Sequence, residues 1–220
     1  MELNSILYRF EKNLVLFSTE LSLDASKYED AVNEREIAIR NVLYEVNTYL
    51  GGGLWADYNL TSKARQPITK GSLSISQWVP MWAGLATDLS AEQLVGMLFQ
   101  SGLLQNAGVL TTDSIKTNQQ WDLPNSWAPL VMLTIDGLIG LNIPTSIYLA
   151  ENISNAWVRT CFLAYNRTGY MYEKYNAYIT GVGGGGGEYE PQVTVNPNIV
   201  ACYIRGFLKI YKLLFQFCDH

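Results

Sequence analysis

Ten residues with the sequence QWDLPNSWAP, at positions 120–129, constrain the fold of this 220-residue chain more than any other stretch. The two prolines fix their own backbone angles and lack N–H donors, so neither a continuous helix nor a central strand can run through the segment. The two indole rings offer flat apolar faces with one polar edge. We therefore predict a rigid loop walled by aromatic rings, and such a wall suits the ring of a sugar.

Composition narrows the classes of function. The chain is 48% hydrophobic and 16% charged, which allows one sizeable core. A net charge of -5 without a long basic run argues against a nucleic-acid partner. The only histidine is His220, so a catalytic triad built on histidine and a histidine-rich zinc site are both excluded. Acid–base chemistry must therefore use Asp, Glu, Tyr or Lys.

The cysteines and the amino terminus indicate little. Cys161, Cys202 and Cys218 are odd in number and widely spaced, which favours neither a disulfide framework nor a metal site. Residues 1–4 lack the basic and apolar regions of a secretory signal, so we expect no signal peptide in this chain, and the sequence leaves the compartment open.

Helical periodicity dominates the rest of the chain. Apolar residues recur every three or four positions and predict one face of a first helix, made of Ile6, Phe10, Leu14, Phe17 and Leu21. A second helix is predicted from Glu29 to Leu50, ended by the glycines at 51–53.

Three more helices are predicted from their start signals. Ser90 and Gln93 fit a capping box that opens a helix to about Gln100. The others run from about Trp127 to Gly140 and, after Pro144, from about Ile147 to Tyr165. Helices joined by loops with aromatic and acidic residues fit an α/α toroid, in which the loops at one end line a pocket. Periodicity alone leaves a complete small helical bundle as the alternative.

Four patches of the sequence resemble trehalases, the glycoside hydrolases that split α,α-trehalose into two glucoses. The resemblance runs from about Glu2 to Gln192 and follows the family's order. The patches are GLWADY at 53–58, the decapeptide at 120–129, YEKYN at 172–176 and GGGGGEY at 183–189.

The resemblance implies an all-α fold, the (α/α)6 toroid, of which this chain would form the later half. Residues 1–192 would be a partial catalytic domain. Residues 193–220 would be a tail outside the family, from a retained intron or an alternative exon. The apolar stretch at 199–217 is long enough for a transmembrane helix. Because Arg205, Lys209 and Lys212 would each cost several kcal/mol near a bilayer centre, we expect no stable membrane span.

Glu173 is the residue that the resemblance places at the chemistry. A lone Glu beside Lys174 is ordinarily a solvated pair. In trehalases the Glu of this element resembles the catalytic base, which deprotonates the water that attacks the anomeric carbon. Tyrosines near it in the sequence would tune its proton affinity. No metal or organic cofactor is implied.

The glycine run at 183–187 has three interpretations. Residues 181–186 match G-x-G-x-x-G, but Pro191 blocks the helix that a dinucleotide site requires. Five glycines are ordinarily a flexible linker. The resemblance implies instead a loop that comes close to the sugar, since backbone without side chains can approach a ligand, and it implies that Glu188 binds substrate.

The decapeptide supplies the remaining site residues. Trp121 would wall the sugar, and Gln120 and Asp122 would bind hydroxyls or orient the water. The structural alternative makes Trp121 a core ring and Asp122 a loop cap. We predict that Trp127 and Trp55 are core residues, and that Asp57 lies at the pocket rim.

One catalytic group is missing from the sequence. Inverting glycosidases need an acid and a base set about 6.5 to 9.5 Å apart. The family's acid belongs to a Ser-Gly-Trp-Asp element, which this sequence lacks. We therefore expect a trehalose hydrolase in which this chain carries the base but not the acid, so that the isolated chain is inactive. The alternative is an inactive truncated isoform with weak sugar binding. Exposed helix faces should also cause self-association.

Overall fold

A computed structural model describes residues 1–46, 48–85, 89–114 and 117–186, together with the backbone of residues 193–194. In these ranges a 3-10 helix spans Ile75–Trp78, and six α-helices follow the chain order α1 (Glu2–Glu20), α2 (Ser26–Leu43), α3 (Val79–Ala83), α4 (Ala91–Gln100), α5 (Ala128–Leu141) and α6 (Pro144–Thr168).

The strands are only two or three residues long and pair antiparallel in two-stranded ladders. The pairs are β1 (Tyr44–Glu45) with β2 (Leu54–Trp55), β3 (Tyr58–Asn59) with β4 (Ala64–Arg65), β5 (Leu104–Gln105) with β6 (Gly108–Val109), β7 (Asn125–Trp127) with β9 (Lys174–Asn176), and β8 (Met171–Tyr172) with β10 (Val193–Thr194).

Two helical hairpins form the frame. α1 packs on α2, and α5 packs on α6. The second hairpin turns sharply because Asn142 takes a left-handed conformation at the end of α5 and Pro144 is the first residue of α6. α3 contacts both α1 and α5, and so joins the two hairpins.

The hydrophobic core has two parts. The larger lies under the decapeptide, α5 and α6, and contains Trp78, Trp127, Trp157 and Tyr175. The smaller lies between α1, α2 and α3 and contains Tyr8, Ile39 and Trp55. The prediction that Trp55 and Trp127 are core residues is therefore confirmed.

The start signals of the later helices are also confirmed. The Ser90 hydroxyl accepts a hydrogen bond from the Gln93 amide at 3.3 Å, and the Ser90 amide donates to Gln93 Oε1 at 2.9 Å, which completes the capping box. α5 and α6 begin close to the predicted residues, and Trp157 lies on the buried face of α6.

The predicted buried face of the first helix is wrong. Phe10 and Phe17 are 58% and 57% exposed, whereas Ser5, Tyr8 and Ser18 are buried. α1 packs on α2 and α3, and Tyr8 donates a hydrogen bond to Glu36 of α2 at 2.8 Å. Periodicity reveals a helix, but it does not say which face the remainder of the chain covers.

The predicted end of the second helix is also wrong. α2 ends at Leu43, and Tyr44 adopts an extended conformation with φ -82° and ψ 118°. Tyr44 then pairs with Trp55, and Glu45 pairs with Leu54. The ladder with residues 54–55 replaces the helical hydrogen bonds seven residues before the predicted end at Leu50.

None of the helices in the described ranges is long and apolar enough to cross a membrane. The apolar stretch at 199–217 lies outside those ranges.

Candidate functional site

Asp122 organises the loop that carries the aromatic residues of the decapeptide. Its carboxylate accepts hydrogen bonds from the Thr117 amide and hydroxyl, both at 2.6 Å, and from the Gln119 amide at 3.3 Å. Partial burial acts to raise the pKa of Asp122, but hydrogen bonds from Thr117 and from the amides of Gln119 and Asn118 outweigh it, and the pKa lies below its ordinary value. Asp122 is therefore an ionised loop cap.

Two tryptophans of the decapeptide form a tilted aromatic pair. Their ring centroids lie 4.7 Å apart with an interplanar angle of 39°. Trp127 is only 7% exposed, whereas Trp121 is 42% exposed. The Trp127 Nε1–H donates to the Gln120 carbonyl at 3.2 Å, which fixes the supporting ring. Trp121 thus offers an accessible aromatic face and is supported by the buried, hydrogen-bonded ring of Trp127.

The β7–β9 ladder brings the decapeptide to the segment that carries Glu173. In this ladder Trp127 lies opposite Lys174, and Asn125 lies opposite Asn176. Glu173 directly precedes β9 and is half-buried, while Lys174 is fully buried. Two stretches that are far apart in the sequence therefore meet at one ladder.

The backbone around Glu173 is held on both sides. The Tyr172 amide donates to the Tyr175 hydroxyl at 3.0 Å, and the two rings meet edge to face at 5.8 Å. Tyr175 is fully buried and packs edge to face on Trp157 of α6 at 5.2 Å. Glu173 therefore stands on a short turn anchored in the main core.

The glycine run joins the same ladder. The Gly184 amide donates to the Lys174 carbonyl at 2.8 Å. The Asn125 side chain exchanges two hydrogen bonds with the backbone of Gly185, donating to its carbonyl at 2.9 Å and accepting from its amide at 3.1 Å. The Lys174 ammonium donates to the Gly186 carbonyl at 2.9 Å. The predicted binding residue Glu188 lies outside the described residues.

A groove of about 660 Å³ runs beside the tryptophan pair. Its walls combine aromatic, apolar and hydroxyl side chains, and they include Trp121, Asp122, Trp127, Leu130, Ser74, Thr111, Thr112 and Thr117. The predicted rim residue Asp57 also lines it, whereas Gln120 and Glu173 are not part of its walls.

Two acidic residues, Glu2 and Asp57, border this groove. Burial raises the pKa of Glu2; the amine of Met1 lowers it and Asp57 raises it, and the resulting pKa is above the ordinary value. Asp57 forms an ion pair with the Met1 amine. Among the residues that the structure describes, no three His, Cys, Asp or Glu side chains cluster so as to hold a metal ion.

Sequence reasoning missed Asn125, Lys174 and Glu2. Asn125 and Lys174 each lie inside a recognised motif, but nothing in the sequence indicates that their side chains contact the glycine run. Glu2 gives no signal at all, since a single acidic residue in the first turn of a helix is common.

Known proteins resemble this chain along most of its length. A family model described as trehalase matches residues 1–194. The chain is 35% identical over 210 residues to a probable trehalase of Oryza sativa subsp. japonica, a match that covers 87% of this chain and 36% of the relative. It is 34% identical over 195 residues to the trehalase of Homo sapiens, covering 87% of this chain and 32% of that protein. The chain thus spans about a third of the length of these relatives.

Solved structures share the fold. The neutral trehalase Nth1 of Saccharomyces cerevisiae superposes with a TM-score of 0.68 at 23% identity, covering 94% of this chain and 37% of that one. A GH63 mannosylglycerate hydrolase of Thermus thermophilus, in complex with glucose, superposes with a TM-score of 0.62 at 16% identity, covering 84% and 43%. The prediction of a partial (α/α)6 toroid is confirmed. With the family model matched along residues 1–194, the chain belongs to the trehalase family.

Proposed function

We propose that this chain supplies the general base and the sugar-binding loops of a glycoside hydrolase that splits trehalose into two glucoses with inversion. The observation that carries the proposal is the meeting of three motif stretches at the β7–β9 ladder, beside a groove walled by an accessible indole ring. The trehalases of rice and human, to which the chain is similar, supply the substrate class.

Glu173 is the proposed base. In an inverting mechanism a carboxylate takes a proton from water as the water attacks the anomeric carbon. The base must be held within hydrogen-bond reach of that water. The turn from Tyr172 to Tyr175 is anchored by the buried Tyr175 ring and holds the backbone of Glu173 in place, and the Glu173 side chain is half-buried.

The sugar-binding roles belong to Trp121, Gln120, Asp122 and Glu188. The exposed face of Trp121 would stack on a glucose ring. Asp122 lines the groove, and its carboxylate already accepts hydrogen bonds from Thr117, Asn118 and Gln119. A sugar hydroxyl would therefore share the carboxylate with these donors, and the main part of Asp122 would be to hold the loop that carries Trp121. Glu188, two residues after Gly186, would bind a second hydroxyl.

The acid would come from another part of the catalytic unit. Residues 1–192 would form the base-bearing portion of the toroid, and residues 193–220 would be a tail outside it. Without an acid the leaving glucose must depart unprotonated, and loss of this help costs about 100 to 10,000-fold in rate. The isolated chain would therefore release no measurable glucose and act at most as a weak binder of trehalose.

The test uses a longer protein in which this chain, up to Gln192, is joined to the complementary parts of a related trehalase. Glu173→Gln should abolish turnover while trehalose binding persists, because the amide keeps its shape but cannot accept the proton. Glu188→Gln should instead weaken binding by about 1 to 3 kcal/mol. Glu20→Gln, on the exposed end of α1, is the matched control and should change neither turnover nor trehalose binding.

The two variants are read against each other. Glu188→Gln could abolish turnover with unchanged binding while Glu173→Gln only raises KM. That result would show that Glu188, and not Glu173, is the base. Glucose release by the purified 220-residue chain near the rate of a full trehalase would contradict the missing acid.

A further inference from the structure

We propose that Asn125 and Lys174 are positioning residues that clamp the backbone of the glycine run to the decapeptide, and thereby set where the run meets the sugar. The link to the sugar rests on the function proposed above. The clamp itself rests only on contacts among described residues.

Asn125 connects two segments through one side chain. Its amide group donates to the Gly185 carbonyl at 2.9 Å and accepts from the Gly185 amide at 3.1 Å, which reproduces the pairing of two peptide groups in a sheet. The same Nδ2 donates to the Gln120 carbonyl at 3.1 Å. Asn125 is only 1% exposed. Its side chain therefore ties the first residue of the decapeptide to the glycine run.

Lys174 holds the run at two further points. Its carbonyl accepts from the Gly184 amide, and its ammonium donates to the Gly186 carbonyl. The residue is 0% exposed, and the ammonium lies 5.6 Å from the ring centroid of Trp127. Burying an ammonium is unfavourable unless hydrogen bonds and ring faces compensate. That Lys174 is buried here indicates that its contacts with the run and the ring are part of the folded state.

The glycines fit these partners closely. A Cβ atom on Gly184 would lie 2.5 Å from Asn125 Oδ1, and one on Gly183 would lie 2.9 Å from the Tyr172 ring. Gly186 has a φ of 73°, which side chains disfavour. In contrast, a Cβ on Gly185 would meet no atom within 4 Å. Residues 183–186 are thus a docked backbone with specific glycine requirements, unlike a flexible linker.

The consequence for the site follows from chain order. Glu188 comes two residues after Gly186 in the sequence, so the position of Gly186 limits how far from the clamp Glu188 can lie. Loosening the clamp should weaken sugar binding and leave the chemistry at Glu173 intact. The expected kinetic signature is a raised KM with a small change in kcat.

Hydrogen exchange followed by mass spectrometry on the full 220-residue chain tests the clamp without substrate. In Asn125→Ala and Lys174→Met, amide exchange at Gly184 and Gly185, whose amides donate to Lys174 and Asn125, should rise about tenfold, as loss of one or two hydrogen bonds predicts. Exchange in the middle of α6 should stay unchanged. Asn125→Asp places a carboxylate oxygen against the Gly185 and Gln120 carbonyl oxygens, so it should raise exchange at least as much as Asn125→Ala. Unchanged exchange in α6 shows for each variant that the fold persists.

The glycine pair supplies the matched control. Gly184→Ala should accelerate exchange as Asn125→Ala does, whereas Gly185→Ala should leave it unchanged. Wild-type exchange rates in Asn125→Ala and Lys174→Met would overturn the clamp.

The sugar link is tested in the longer protein described above. A severalfold rise of KM for trehalose in Asn125→Asp, with kcat nearly unchanged, is expected. An unchanged KM despite faster exchange would overturn the link. Absence of trehalose binding by the otherwise unaltered protein would instead contradict the proposed function and leave the exchange result on the clamp standing.

Discussion

Gly108 and Ser126 lie so close together that a Cβ atom on Gly108 would be 2.7 Å from the Ser126 hydroxyl oxygen. That hydroxyl accepts a hydrogen bond from the Val109 amide at 3.1 Å. The same Cβ would be 3.3 Å from the Trp157 ring on α6. The absence of a side chain at Gly108 therefore lets β6 approach both the decapeptide and α6.

Gly108→Ala should destabilise the fold. An added methyl in this contact must displace the buried Ser126 or Trp157, and overpacking of this kind costs about 1 to 3 kcal/mol. Gly96→Ala is the control, because a Cβ there meets no atom within 4 Å and alanine favours a helix interior by about 0.5 to 1 kcal/mol. Urea unfolding of both variants gives the comparison. Equal stability of Gly108→Ala and wild type would contradict the contact.

Replacement by alanine should lower the free energy of unfolding by different amounts at Trp121 and Trp127. Trp127→Ala removes a buried ring and should lower the free energy of unfolding by about 3 to 5 kcal/mol. Trp121→Ala removes a partly exposed ring, so its stability loss should be much smaller. In the longer protein, Trp121→Ala should raise the Kd for trehalose at constant fold. A variant that binds trehalose as wild type does would exclude Trp121 from the sugar site.

Asp122 should make the fold sensitive to acid. Its pKa is lower in the folded chain than the ordinary value of about 4. A group of this kind stabilises the fold fully above its unfolded pKa, and the stabilisation is lost as the pH falls through the lowered folded pKa. In Asp122→Asn the stability at pH 7 should drop, and the fall in stability as the pH decreases below the ordinary carboxyl pKa of about 4 should be shallower than in wild type. Parallel pH profiles for the two proteins would show that the Thr117 hydrogen bonds do not favour the ionised form.

The exposed face of α1 should promote self-association. Phe10 and Phe17 stand in solvent on the same helix, and large apolar patches drive association. Replacing both by Glu should shift the chain towards monomer in sedimentation velocity experiments. Thr19→Glu adds charge on the same helix at an exposed polar position and should leave the distribution unchanged. A wild-type chain that sediments as a monomer at all concentrations would contradict the expectation.

Sequence and structure agree where the determining signal is local. The capping box at Ser90 and the proline at Pro144 position α4 and α6 because hydrogen bonds and backbone angles within one turn decide a helix start. The composition of the decapeptide likewise predicts an aromatic loop.

The sequence-based prediction fails where a segment far away in the sequence determines the local structure. α2 stops at Leu43 because residues 54–55 pair with the residues that follow it, and no pattern inside the helix reports that partner. The buried face of α1 depends on the elements packed against it. Asn125 contacts Gly185 across sixty positions, and a sequence motif alone does not show such a contact.

The β7–β9 ladder has a further consequence that follows from its place in the chain. Its two strands flank the α5–α6 hairpin, and because α6 has 25 residues and α5 only 14, residues 169–173 must return along α6 for Lys174 to lie opposite Trp127. The tight turn at Asn142 sits at the far end of that hairpin, about 20 Å away along α5. The ladder therefore depends less on this remote turn than on the return segment: a residue inserted between Thr168 and Met171 would change the length of the return and move Glu173 relative to the tryptophans, although no residue of the site is altered.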